Sequence, residues 1–206
     1  MSRLFTYRIV DDAGHAPNPF WDVCTLTICK PLIRSAAQVG DWVAGITAAC
    51  WPEGSGLLVY AMRVTAKMTM SEDDDWTRRE LPEKIPARSR DWRRRAGDAI
   101  YDFDDDPPTV HKDAFHTVAN RKTDLGDRYA LLSEHFYYFG GTPLELPEHL
   151  RPIIPTGRAH QSPKIDPYVE PFKAWITSEF EANKLYGMPR GMPRSSERVT
   201  IGRKPG

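Results

Sequence analysis

Cysteine is scarce in this chain of 206 residues, which carries only Cys24, Cys29 and Cys50. A small, odd number excludes a disulfide framework and points to a reducing, cytoplasmic compartment. Cys24 and Cys29 are five positions apart, so on a strand they face opposite sides and cannot share a metal, and Cys50 has no close neighbour. No structural zinc and no other metal is expected, and the cysteines read as small buried packing residues. Net charge is also lacking, because 28 Lys and Arg balance 28 Asp and Glu. That excludes a global electrostatic pull toward nucleic acid and leaves such binding to a local patch. No apolar run approaches membrane-span length, and the opening MSRLFTYRIVDD has no apolar segment of signal-peptide length. G-x-S-x-G, P-loop and dinucleotide fingerprints are missing as well, so no common catalytic class is signalled and the cofactor is left unknown.

What is present is ordinary globular composition, 40% hydrophobic and 27% charged, which argues for a packed core rather than disorder. Leu4 to Val10 alternates as a strand, and VCTLTIC is rich in β-formers. VGDWVAGI (39–46) starts on a Gly-Asp turn and becomes a strand. GLLVYAMRVTAKMTM (56–70) carries the cleanest period-two pattern, with Tyr60, Met62 and Val64 on one face. These two segments predict an antiparallel hairpin. GDAIYDF and YALLSEHFYYFG predict further strands, and a helix is expected over about 168–184, with Pro171 in its first turn. Pro-rich stretches make much of the remainder loop. The expectation is one α+β domain over 1–186, followed by a basic, Pro- and Gly-containing tail over 187–206 that is poorly ordered.

Several residue groups have chemical potential. In GHAPNPFWDVCTLTICKP, prolines stiffen a loop that carries Asn18, Phe20 and Trp21, an amide to read a base edge and rings to stack on it. The same loop also suits a rigid turn folded onto the core. RSRDWRRRAGD interleaves Trp92 with arginines, of which Arg90, Arg93 and Arg94 suit phosphates, although flanking aspartates offset them. TGRAHQSPK places Arg158, His160 and Gln161 ahead of the last helix. His15, Asp41, His111, His116, His135 and His160 are scattered acid–base candidates whose spacing matches no strong motif.

APNPFWDVCTLTICKPLIRSAAQVGDWVAG, LVYAMRVTAKM, GDAIYDF, LLSEHFYYFG and GRAHQS together resemble the nucleotide modification associated domain 2 family over about residues 3–185. That resemblance implies a setting in phage or bacterial systems that make or handle modified nucleotides. A looser one, on the order of strands and the turn at Val39, Gly40, Asp41 and Trp42, is to PUA-like domains of the EVE and ASCH groups. It implies a small curved antiparallel or mixed β-barrel with a few helices, including a C-terminal one, and a cleft that accepts a base. The expected base or nucleotide site is Asn18, Phe20, Trp21, Trp42, Arg158, His160 and Gln161, with Arg90, Arg93 and Arg94 at a phosphate rim; His160, Asp41 and His135 are the catalytic candidates. The expected partner is a nucleotide or nucleic acid carrying a modified base, with no membrane. Three functions stand open: a binding module, an enzyme that installs, removes or processes the modification, and an interaction protein of phage–host conflict.

Overall fold

Leu4–Ile9 forms β1, an edge of the largest sheet in a computed structural model that describes residues 2–157 and 163–190. The chain continues through β2 (Cys24–Leu26), α1 (Pro31–Ala36), β3 (Trp42–Thr47), β4 (Leu58–Arg63), β5 (Ala66–Thr69) and α2 (Met70–Glu80). Then come α3 (Trp92–Arg95), β6 (Tyr101–Asp102), β7 (Thr109–Val110), α4 (Arg121–Asp124), β8 (Tyr129–Ser133), β9 (Phe136–Tyr138), α5 (Val169–Glu179) and β10 (Lys184–Leu185). The class is α+β, as expected. Among the described residues the strands form three separate sheets, β1-β3-β4-β9-β10, β2-β8-β5 and β6-β7, and no closed barrel. The large sheet is mixed, with β1 parallel to β3, β3 and β9 antiparallel to β4, and β10 parallel to β9.

The expected β3–β4 hairpin is present, with Trp42 opposite Arg63 and Ala44 opposite Ala61. The long alternating segment is correct in pairing but not in shape. It pairs with 129–138 in one unbroken register, Thr69 opposite Tyr129, Ala66 opposite Leu132, Met62 opposite Phe136 and Tyr60 opposite Tyr138. The ribbon breaks at 64–65 and 134–135 and passes from one sheet to the other. At the break, Ser133 Oγ lies 2.6 Å from the Arg63 carbonyl and 2.8 Å from that of His135.

The strand ends at Thr69 because a capping box starts α2 there. Thr69 Oγ1 accepts from Glu72 N at 3.2 Å, and Thr69 N donates to Glu72 Oε2 at 2.8 Å. Acidic Glu72 and Asp73 open this helix and basic Arg78 and Arg79 close it, matching its dipole. Helix α5 is shorter than expected, ending at Glu179, with Pro171 in its first turn. Its Phe172 and Ile176, with Val169, pack on one face of the large sheet against Trp42, Ala44 and Tyr137. The other face buries Phe5, Tyr7, Tyr60, Met62 and Tyr138 toward α1 and the second sheet. Cover on both faces explains why Leu58 to Met62 is wholly buried despite its alternation.

The chain past Gly187, expected as poorly ordered tail, is packed as far as Arg190. Gly141 N donates to the Met188 carbonyl at 2.7 Å, and the Arg190 guanidinium sits 4.8 Å from the Trp51 ring. Among the described residues no helix is long and apolar enough to cross a membrane.

Candidate functional site

Three neighbouring strands bring Trp42, Arg63 and His135 into a row at one end of the large sheet. Trp42 opens β3, Arg63 ends β4 opposite it, and Arg63 N donates to the His135 carbonyl at 2.9 Å where the ribbon breaks. These residues line a cleft of about 780 Å³, of the size that holds a small ligand. The facing wall is α5, which contributes Glu170, Lys173, Ala174 and Thr177 from one helix face. Ser2, Arg3 and the turn from Gln38 to Asp41 complete the rim. That turn needs Gly40, whose φ is +93° and whose N–H donates to the Val64 carbonyl at 2.8 Å.

The cleft gathers three sequence candidates, but their roles differ from those expected. Asp41 is buried and its carboxylate is fully engaged. Oδ1 accepts from Arg3 N at 2.8 Å, and Oδ2 accepts from Gln38 N at 2.9 Å and from Arg3 Nη2 and Nε at 2.6 and 3.0 Å. It anchors the turn and holds Arg3 at the rim instead of standing free as an acid–base group. Trp42 is only 2% exposed, with its ring parallel to Tyr137 and edge-on to Phe172 and His135. It forms the floor and offers no open face for stacking. His135 is half-buried, with Nε2 3.1 Å from Tyr137 Oη. Burial, and then the charge of Arg63, hold its imidazole below the ordinary histidine value, so it is neutral at pH 7.

The cations are unequal. Arg3 is paired with Asp41, and Lys173 donates to Glu170 Oε1 at 2.7 Å and Ser2 Oγ at 3.1 Å. The exposed Arg63 guanidinium makes no hydrogen bond or ion pair among the described residues. Sequence reading missed Arg63 and Lys173, which look like ordinary charges at a strand end and on a helix. Only the lone arginine closing an apolar strand was a signal.

The Asn-Pro-Phe-Trp loop lies elsewhere and faces inward. Asn18 is fully buried; its Nδ2 donates to the Ala96 carbonyl at 2.7 Å, and its Oδ1 accepts from Lys84 Nζ at 2.7 Å. Buried Lys84 also donates to the Asn18 carbonyl at 3.0 Å and to Thr25 Oγ1 at 2.9 Å, and Thr25 in turn donates to Asp98 Oδ2 at 2.7 Å. A buried lysine and a buried aspartate are thus joined through one hydroxyl, and Asn18 completes the lysine's shell. With both ends of its amide so engaged, Asn18 has no edge to present to a base. Phe20, 1% exposed, packs edge-on to Trp92 at 5.0 Å and to Trp21 at 5.8 Å. The fold therefore brings the aromatic loop against the arginine cluster, with Trp21 half-buried at φ 59°. Arg93 there pairs with Asp91 at 2.7 Å, Arg90 is exposed and Arg94 half-buried, and none of these lines the cleft. Arg158, His160 and Gln161 lie outside the described residues.

Of the cysteines, Cys24 is core, and burial pushes its thiol up beyond the usual range. Exposed Cys50 donates to the Val10 carbonyl at 3.4 Å. Cys29 is half-buried and stands with His116 and Asp124 as a group whose donor atoms all lie within 4.8 Å of one another. These are residue types that can hold a metal, a grouping that cysteine spacing alone does not reveal.

No significant match was found among curated proteins or among solved structures. The family profile described as nucleotide modification associated domain 2 matches residues 1–196. The match spans nearly the whole chain and includes every residue of the cleft, and it supports a general role in nucleotide modification. The chain belongs to the nucleotide modification associated domain 2 family.

Proposed function

We propose that the cleft between α5 and the end of the large sheet binds a phosphorylated nucleotide carrying a modified base. The observation that carries this reading is Arg63, an unpaired guanidinium in the cleft beside a neutral imidazole. A phosphate fits the bidentate face of Arg63, with Lys173 and Arg3 supporting it from the other walls. His135, neutral, can donate to or accept from a base edge. The volume accommodates a mononucleotide rather than a duplex. Binding is favoured over catalysis because Asp41, the buried carboxylate of the cleft, is saturated by Arg3 and Gln38. Arg90, Arg93 and Arg94, with Arg158, His160 and Gln161, stay proposed as outer contacts to a nucleic-acid strand.

The test is calorimetric titration with a panel of normal and modified deoxynucleoside 5′-monophosphates. Arg63→Ala should weaken binding about ten- to a hundredfold, the loss of a charge-assisted contact of about 1.5–3 kcal/mol. It should also flatten the salt dependence. Equal affinity in Arg63→Ala, with the fold intact by circular dichroism, refutes the cleft as the phosphate site.

A further inference from the structure

We propose that Cys29, His116 and Asp124 form a binding site for a divalent transition metal, with zinc the ion that their sulfur, nitrogen and oxygen donors suit. The three come from separate stretches of chain, the turn between β2 and α1, the loop after β7 and the end of α4. Their donor atoms already lie within 4.8 Å of one another. Four-coordinate zinc with bonds of about 2.0–2.3 Å sets its donors roughly 3.3–3.8 Å apart, so adjustments of about an ångström close the site.

The surroundings fix these donors as an outer shell fixes metal ligands. Arg34 is fully buried and clamps the backbone on both sides. Its Nε donates to the Cys29 carbonyl at 2.8 Å and its Nη2 to the Asp124 carbonyl at 2.5 Å. Tyr101 Oη donates to Asp124 Oδ2 at 2.9 Å, and His116 Nδ1 lies 2.5 Å from the same oxygen. Cys29 is held at φ 60°, a left-handed conformation that costs a non-glycine residue energy and here aims its thiol at the pair. A second observation lies alongside. His15 is nine-tenths buried, and its Nδ1 has no hydrogen-bond partner among the described residues. Its ring stacks on Phe115 at 4.6 Å, and Phe115 leans on His116 at 5.7 Å.

A hydrogen bond between His116 and Asp124 accounts for two of the three side chains, and Cys29 N donates to Asp124 Oδ1 at 3.5 Å, which leaves the Cys29 thiol without a role. A nucleophilic thiol fits less well, because the Asp124 carboxylate grouped with Cys29 opposes a thiolate there. A divalent cation reverses that balance. Binding releases the thiol proton to solvent, and the ion takes a thiolate, a neutral imidazole and a carboxylate. Among the described residues three protein donors converge, which leaves a coordination position for water or a ligand, the pattern of open zinc sites.

The full chain, stripped with chelator and kept reduced, is titrated with cobalt(II) as a spectroscopic stand-in. The expected result is one equivalent bound, with a thiolate-to-cobalt charge-transfer band that zinc abolishes on displacing the cobalt. Cys29→Ser should lose the band, and Cys50→Ser should keep it. Changes in the outer shell cost about 10- to 100-fold in affinity, so His116→Gln, which removes a ligand, should cost at least ~100-fold. No band in the wild type overturns the proposal by itself, whatever the variants' folding. A band that survives in folded Cys29→Ser, or equal affinity in folded His116→Gln, overturns it too. Absence of bound metal together with fast alkylation at Cys29 would assign a nucleophile in its place.

Discussion

Replacing Asn18 with alanine should destabilise the fold by about 3–5 kcal/mol, a magnitude that follows from the hydrogen bonds its side chain makes inside the protein. Three buried bonds vanish, Nδ2 to the Ala96 carbonyl and Lys84 Nζ to Oδ1, both at 2.7 Å, and a longer one from Phe20 N to Oδ1 at 3.4 Å. The first is a neutral amide bond worth about 1 kcal/mol, and its loss leaves a buried carbonyl bare. The second serves a buried ammonium and is worth about 1.5–3 kcal/mol. Lys84 keeps the Asn18 carbonyl and Thr25 Oγ1, so its shell is thinned rather than emptied. Against a typical total stability of about 5–15 kcal/mol, the loss is large. Urea unfolding, read as a midpoint shift at constant m, measures it directly. A loss under about 1 kcal/mol, with a changed preference among bases in a binding assay, would refute the structural role and restore Asn18 as a reader of base edges.

Two further perturbations probe α2. Thr69→Ala removes the hydroxyl half of the capping box and should cost about 1 kcal/mol, read as a lowered denaturation midpoint, whereas an unchanged midpoint contradicts the box. Burial, then the charge of Asp98, pushes Asp73 up to about 8, so native Asp73 keeps its proton over a range in which the unfolded chain has lost it. This group therefore lowers stability as pH rises from about 4 to about 8, by at most about 1.4 kcal/mol per pH unit. Asp73→Asn should be close to neutral below about pH 4 and increasingly stabilising toward pH 8, and a difference from wild type that does not vary with pH contradicts it.

Period-two alternation made β1 and β4 legible, the Gly-Asp turn marked the start of β3, and 3.6-residue spacing revealed α5. The bend that splits two long strands between sheets was not legible, because at it Ser133 reaches the Arg63 carbonyl across the ribbon as well as the His135 carbonyl on its own arm. The α2 helix had its signal in Thr69-x-x-Glu72, masked by a charged sequence whose Asp73 and Asp74 are nevertheless buried. Asp41, Trp42 and His135 were recognisable as candidates and do meet in one cleft. Their roles were hidden, since Arg3 lies 38 positions from the aspartate it saturates. A loop asparagine that reads a ligand and one that completes a buried lysine look alike when that lysine lies 66 positions away. Cysteine spacing could not reveal the grouping of Cys29 with His116 and Asp124 for the same reason, because those residues come from distant chain.

The most direct test of nucleotide binding in the cleft is the ionisation of His135, followed by NMR with and without a saturating deoxynucleoside 5′-monophosphate. In the free protein its pKa lies below the ordinary histidine value, partly through the charge of Arg63. A phosphate seated on Arg63 offsets that charge and favours the imidazolium, so the account predicts that the ligand raises the His135 pKa and that Arg63→Ala abolishes the ligand-dependent rise. Saturable binding that leaves His135 unmoved while shifting a different histidine would contradict it.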